Sequence, residues 1–156
     1  MLLTGEYRNT LDEKGRILIP SKLRAAIAGD TLIVTRGVEN CLWLLLPEHF
    51  ESLRRRIMDG PGAMFDNKLR LLQHFIIARA QECEIDKAGR INIPAILRES
   101  VQLTVREESV ILGVSSYLEL WNVKNYEAYF SMSEQDFAAA SQALSEDLRE
   151  DARRKE

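Results

Sequence analysis

The apolar positions of this chain change period several times, and each change marks an element. After the polar stretch Asp12-Glu13-Lys14-Gly15, Ile17 and Ile19 alternate with Arg16 and Leu18; after Asp86-Lys87-Ala88-Gly89, Ile91 and Ile93 alternate with Arg90 and Asn92. A period of two belongs to a half-buried strand, so each isoleucine pair faces a core and each arginine faces away from it. Asp-x-x-Gly fits a type I turn, in which Asp accepts backbone hydrogen bonds and Gly takes the left-handed conformation that closes the hairpin as a bulge. Pro20 and Pro94 stop each ladder and suit a first helical turn, which predicts short helices over 21–27 and 95–101, the first ending near Gly29. Two further strands follow in each half, over 31–35 with 41–46 and over 109–112 with 117–121.

Between these stretches the period lengthens to that of a helix. Residues 48–58 and 65–78 are predicted helices, broken at Gly60-Pro61-Gly62. In the second, Phe65, Leu69, Leu72 and Ile76 form one stripe while Leu71 and Phe75 form another, so both sides require cover, from the flanking halves or from a neighbouring subunit. Ser133-Glu134-Gln135-Asp136 reads as a capping box ahead of Phe137, Ala140 and Leu144, predicting a last helix that frays into the charged end.

The chain contains one pattern twice. Residues Leu11 to Arg24 align without a gap to Ile85 to Arg98, with Asp, Gly, Arg, two Ile, Pro, Leu and Arg identical. Four segments follow: a first repeat over 1–53, a helical connector over 54–80, a second repeat over 81–132 and an acidic helical tail over 133–156. A half of four short strands and two short helices leaves long apolar edges, and an isolated hairpin is marginal in water. The two halves are therefore expected to interleave about a pseudo-two-fold axis, strands of one completing the sheet of the other. That makes an α+β fold with a closed barrel-like core and helices at its rim.

Composition narrows the function. The 156 residues, 46% hydrophobic and 29% charged, suffice for a real core, and no run approaches the roughly 18 apolar residues of a membrane span. No secretion signal is evident at the start, and Cys41 and Cys83 stand far apart, against a zinc ribbon, a redox pair or a disulfide scaffold; a cytoplasmic protein with buried thiols is expected. The net charge of -3 lies wholly in residues 133–156, which carry seven acids and four cations, so the body is neutral and has room for a basic face. No phosphate-binding glycine loop, zinc-protease or nucleophile-elbow pattern is present, so catalysis, a cofactor, a small-molecule substrate and a metal are not expected. His49 and His74 read as a surface and a packing histidine, Arg54-Arg55-Arg56 as a solvated helix face or subunit contact, and Glu82, Glu84 and Asp86 as a solvated strand edge.

The repeated Asp-x-x-Gly-Arg, followed each time by Ile-x-Ile-Pro and Leu-Arg, resembles the swapped-hairpin fold of AbrB-type regulators, and two copies in a chain of this length resemble the MraZ family. Gly5-Glu6-Tyr7, Arg79-Ala80-Gln81-Glu82-Cys83-Glu84 and Leu118-Glu119-Leu120-Trp121 support it, so the resemblance spans nearly the whole of residues 1–131. It implies two swapped-hairpin repeats forming a pseudo-two-fold, double-ψ-like β-barrel. It also implies a nucleoid-associated bacterial transcriptional regulator of the division and cell-wall gene cluster, a repressor that binds tandem promoter repeats in double-stranded DNA as a ring homo-oligomer, an octamer or dodecamer. In that family the Asp-x-x-x-Arg surface faces DNA, which carries over to Asp12 with Arg16 and to Asp86 with Arg90. On physical grounds Lys14 at the turn tip adds a phosphate contact and Arg24 reaches the flanking backbone, whereas Asp12 shapes the turn. The second copy has Ala88 in place of Lys14, and Ala95 and Ile96 in place of Ser21 and Lys22, so the first repeat is expected to face the nucleic acid. The alternative is a protein-interaction module, since swapped-hairpin antidotes neutralise toxins through a C-terminal arm; residues 133–156 would be that arm.

Overall fold

The computed structural model describes residues 2–155. The chain runs β1 (Leu3–Thr10), β2 (Arg16–Leu18), α1 (Ser21–Ala26), β3 (Thr31–Arg36), β4 (Leu42–Leu45), α2 (Pro47–Met58), α3 (Asn67–Leu72) with a π-helical turn after it (Gln73–Ile77), β5 (Gln81–Glu84), β6 (Arg90–Asn92), α4 (Ala95–Ser100), β7 (Glu108–Ser115), β8 (Tyr117–Asn122), α5 (Val123–Met132) and α6 (Glu134–Arg154). The contacts divide it into two compact units, one ending at Val123 and one beginning at Lys124.

The first unit is mixed α+β. Its strands form a six-stranded sheet in the order β1-β7-β8-β4-β3-β5 and a separate ladder of β2 with β6, every pairing antiparallel. The pairings cross between the repeats. β1 runs along β7 from Leu3 opposite Ser115 to Thr10 opposite Glu108, and β5 runs along β3 from Thr31 opposite Glu84 to Val34 opposite Gln81. Each repeat thus supplies an outer strand to the other, and Ile17 of β2 lies opposite Ile91 of β6.

The core is duplicated in the same way. Ile17, Ile19 and Leu23 are no more than 1% exposed, and their repeat counterparts Ile91, Ile93 and Leu97 are fully buried, all in one cluster with Leu11 and Ile85. Burying each of these aliphatic side chains contributes on the order of 1.5–3 kcal/mol before entropy is subtracted. Pro20 and Pro94 stand immediately before α1 and α4, and their carbonyls accept from Arg24 and Arg98 N–H at 2.9 and 3.0 Å. The fixed proline φ therefore turns each strand directly into a helix.

The connector departs from its predicted pattern. α3 starts at Asn67, because the Asp66 carboxylate caps it by accepting from Lys68 and Leu69 N–H at 2.9 and 3.0 Å. Its continuation widens to a π turn, closed by Ala78 N–H to the Gln73 carbonyl at 2.8 Å, while the Ile76 carbonyl accepts from the buried Thr35 hydroxyl on β3. Gln73 is buried and satisfied, donating to the Ala63 carbonyl at 2.9 Å. Only one side of this helix is covered: Ile76 is buried, but Leu71 and Phe75 are exposed, as is Phe65 in the turn before it. The two histidines exchange their expected roles, since His49 is half-buried with Nδ1 2.9 Å from the Ser116 carbonyl and His74 is exposed. Cys41 is buried as expected, and Cys83 is half-buried on the edge strand β5.

In the second unit the expected capping box does not form. Ser133 has helical backbone angles and no side-chain cap; its N–H donates to the Tyr129 carbonyl at 3.0 Å, and its carbonyl accepts from Phe137 N–H at 2.8 Å. The i to i−4 ladder therefore passes through Ser133, whose helical angles differ from the extended backbone an N-cap residue needs.

Candidate nucleic-acid interface

Both Asp-x-x-Gly-Arg segments fold identically, and the reason is local. In the first, Gly15 N–H donates to the Asp12 carbonyl at 3.0 Å and Asp12 N–H to the Arg16 carbonyl at 2.9 Å; in the second, Gly89 to Asp86 and Asp86 to Arg90 measure 2.9 and 2.8 Å. Gly15 and Gly89 sit at φ +82° and +87°, where a side chain is strained. The aspartates are turn builders. Asp12 Oδ1 accepts from Lys14 and Arg16 N–H at 2.9 Å each, and Asp86 Oδ1 accepts from Ala88 and Arg90 N–H at the same distance. These backbone donors, led by Arg16 N–H and Arg90 N–H, hold both carboxyls below the usual aspartate range.

The two turns meet. Ile19 N–H donates to the Gly89 carbonyl and Ile93 N–H to the Gly15 carbonyl, both at 2.9 Å, an exchange related by the internal repeat. Arginines cross in the same sense. A Cβ built on Gly15 would meet the Arg98 guanidinium at 2.7–3.0 Å, and one on Gly89 would meet Arg24 Nη1 at 2.6 Å. Each repeat's short helix thus lays its last arginine over the other repeat's turn, and Arg24 Nη2 also reaches the Lys87 carbonyl at 3.5 Å.

Sequence reasoning placed Asp12, Lys14, Arg16, Arg24, Asp86 and Arg90 at the site, and all six lie in these joined turns or against them. Arg16 Nε is bonded to Asp12 Oδ2 at 2.7 Å, and its Nη groups make no hydrogen bond among the described residues. Arg90 Nε lies 3.4 Å from Asp86 Oδ2 and its Nη1 3.9 Å from Asp12 Oδ2, so it leans on both aspartates. Lys14 and Arg24 are exposed. Three further cations lie here that the sequence reading does not assign to the site. Arg98 was signalled by the repeat itself, being the counterpart of Arg24; Lys87 is exposed on the second turn, one residue before Ala88; and Arg106 pairs with Glu13 at 2.8 Å, offsetting the acid of the first turn. With Lys14, Arg16, Arg24, Lys87, Arg90 and Arg98 set against Asp12 and Asp86, the joined turns carry a surplus of positive charge inside a chain whose net charge is -3. Such a surface suits a polyanion whose charges repeat at short intervals.

Other groups do not join it. Arg54 and Arg55 of α2 pair with Glu51 at 2.8 and 3.2 Å, and this pairing holds the Glu51 carboxyl down to about 2. Among the described residues no three His, Cys, Asp or Glu side chains gather as a metal site, and no helix is long and apolar enough to cross a membrane.

Comparison with known proteins adds a family. Residues 2–67 and 76–153 match the family model described as "MraZ protein, putative antitoxin-like". A Treponema denticola protein named "Transcriptional regulator MraZ" is 45% identical over 144 residues, covering 92% of this chain and 98% of its own. Proteins of the same name from Halothermothrix orenii and Treponema pallidum are 35% and 38% identical, covering 94% and 90% of this chain and 99% and 93% of theirs.

Proposed function

The chain belongs to the MraZ family, and on that premise we propose that it is a transcriptional regulator whose joined turns grip double-stranded DNA. The observation that carries this reading is the crossing of the two turns, which gathers six cations from distant parts of the sequence onto one site. Arg16 is the principal contact, its Nη edge entering a groove or clasping a phosphate while Asp12 holds Nε. Lys14, Lys87, Arg24 and Arg98 neutralise flanking phosphates and set register without reading bases. Asp12 and Asp86 contact the loops alone, since a carboxylate facing phosphate is repelled.

Few charges per chain mean weak binding at physiological salt, so a ring of copies engages tandem promoter repeats by avidity. The sheet and the β2–β6 ladder are proposed to close as one double-ψ-like barrel, and the regulated genes to be those of division and cell wall, with the protein on the nucleoid. The test is fluorescence anisotropy on the promoter fragment upstream of the chain's own gene, at several salt concentrations, with Arg16→Ala beside the parent. Affinity falling steeply with salt, and at least tenfold with the substitution, supports the reading; equal binding by both proteins overturns it.

A further inference from the structure

Two apolar helix faces stand uncovered, and their charges are opposite. Residues 65–81 carry one acid, the Asp66 cap, against Lys68, Arg70 and Arg79, and this stretch exposes Leu71 (57%), Phe75 (46%) and Phe65 (89%). Arg79 stacks on the Phe75 ring with its guanidinium carbon 5.1 Å from the centroid, adding a cation to the apolar face itself. In the second unit, α6 carries six acids against three arginines and buries no residue. Its Phe137, Leu144 and Leu148 are each at least 59% exposed, and at spacings of seven and four they share one stripe. Glu134, three residues before Phe137, and Asp151, three after Leu148, extend that same stripe at its two ends.

A basic apolar face and an acidic apolar face in one chain are self-complementary without being the same patch. Contact between copies is then head-to-tail, the kind that closes into a ring when the rotation per copy allows it. We infer that α6 of one copy packs its Phe137, Leu144 and Leu148 stripe on Leu71 and Phe75 of a second copy, with Glu134 and Asp151 meeting the cations Lys68, Arg70 and Arg79. The apolar contact supplies the association and the charges fix which helix meets which.

This inference rests on the oligomeric part of the reading above, and light scattering on the full chain without DNA tests it separately from DNA binding. Leu144→Glu is expected to lower the particle mass at least twofold while circular dichroism keeps the helix content of the parent. Chains carrying Leu71→Cys, mixed with chains carrying Leu144→Cys, both on a Cys83→Ser background, are expected to form a covalent heterodimer on mild oxidation. A full-mass particle with both Leu144→Glu and Leu71→Glu overturns this surface and leaves the ring standing. A chain bearing both cysteines that closes on itself, while the mixture stays uncoupled, overturns it in favour of α6 covering its own chain. A parent protein that runs as a single chain removes the surface and the ring together.

Discussion

The first and second turns share a backbone and differ in what they offer. Their aspartates accept the same two backbone donors at the same 2.9 Å, and their glycines lie within 5° of each other in φ. Yet Arg16 is held by one carboxylate at 2.7 Å, whereas Arg90 is stretched between two at 3.4 and 3.9 Å with its Nε buried and lacking a hydrogen bond. The tips differ too: Glu13-Lys14 in one, Lys87-Ala88 in the other. Duplication preserved what the backbone requires and left the solvent-facing charges free to diverge. One turn carries a guanidinium oriented by a short carboxylate bond, and the other one held only by longer ion-pair contacts.

Substitutions can break this comparison at several depths. The largest effect is expected in the shared scaffold. Ile17→Ala and Ile91→Ala each remove a buried, cross-paired side chain and should cost about 2–5 kcal/mol by denaturant unfolding. The two values should agree within about 1 kcal/mol if the repeats are equivalent in the core. Next come the arginines: Arg16→Ala is expected to weaken promoter binding at least tenfold in anisotropy, and Arg90→Ala about threefold, on the order of 1.4 and 0.7 kcal/mol. Equal losses would mean that orientation by the short Asp12 bond gives Arg16 no advantage over the more loosely held Arg90. Smaller still is an exchange at the tips. Lys14→Ala should lower the slope of log affinity against log salt by about one phosphate contact, and Ala88→Lys should raise it by as much.

The smallest effect is the acid limb of stability. Asp12 and Asp86 have lowered pKa values, so their contribution is present above the unfolded value of 3.8 and is lost as pH falls through the lower folded values. Asp12→Asn and Asp86→Asn should each flatten the fall of thermal stability below about pH 4, by similar amounts because the backbone donors are the same. Glu119 has the opposite sign. Buried and bonded to Trp121 Nε1 at 3.0 Å, its carboxyl is pushed above 4.5 mainly by burial, so its protonation favours the folded state as pH falls through that raised value. Glu119→Gln beside the aspartate variants separates the two trends.

What could be read from the chain was whatever is decided within a few residues. Asp-x-x-Gly, the isoleucine alternation and the prolines fixed both turns, β2, β6 and the starts of α1 and α4 to within a residue, because each depends on local sterics. The repeat also carried the expectation of interleaved halves, and the β1–β7 and β3–β5 pairings realise it. The crossing of Arg24 and Arg98 was not legible, since a guanidinium finds Gly89 or Gly15 only after distant segments meet. The helix from 67 was over-read for a related reason: two apolar stripes announce a need for cover but not its source, and the π turn that shifts its register answers to Thr35 on another strand. At Ser133 a capping pattern lost to a helix already running through it, because the pattern does not say whether the serine backbone is extended or helical.

The exchanged outer strands bear on how the chain is made. β1 is synthesised well before β7, yet its ladder with β7 needs residues up to Ser115, so the strand waits for all the intervening segments before finding its mate. During that interval Leu3 and Leu11, both buried in the finished molecule, lack their native cover, and long-range pairing of this kind is slow and prone to wrong partners. A β1 strand left unpaired over that interval is an open edge for a second nascent copy, so exchange of β1 between copies is the misassembly this topology favours.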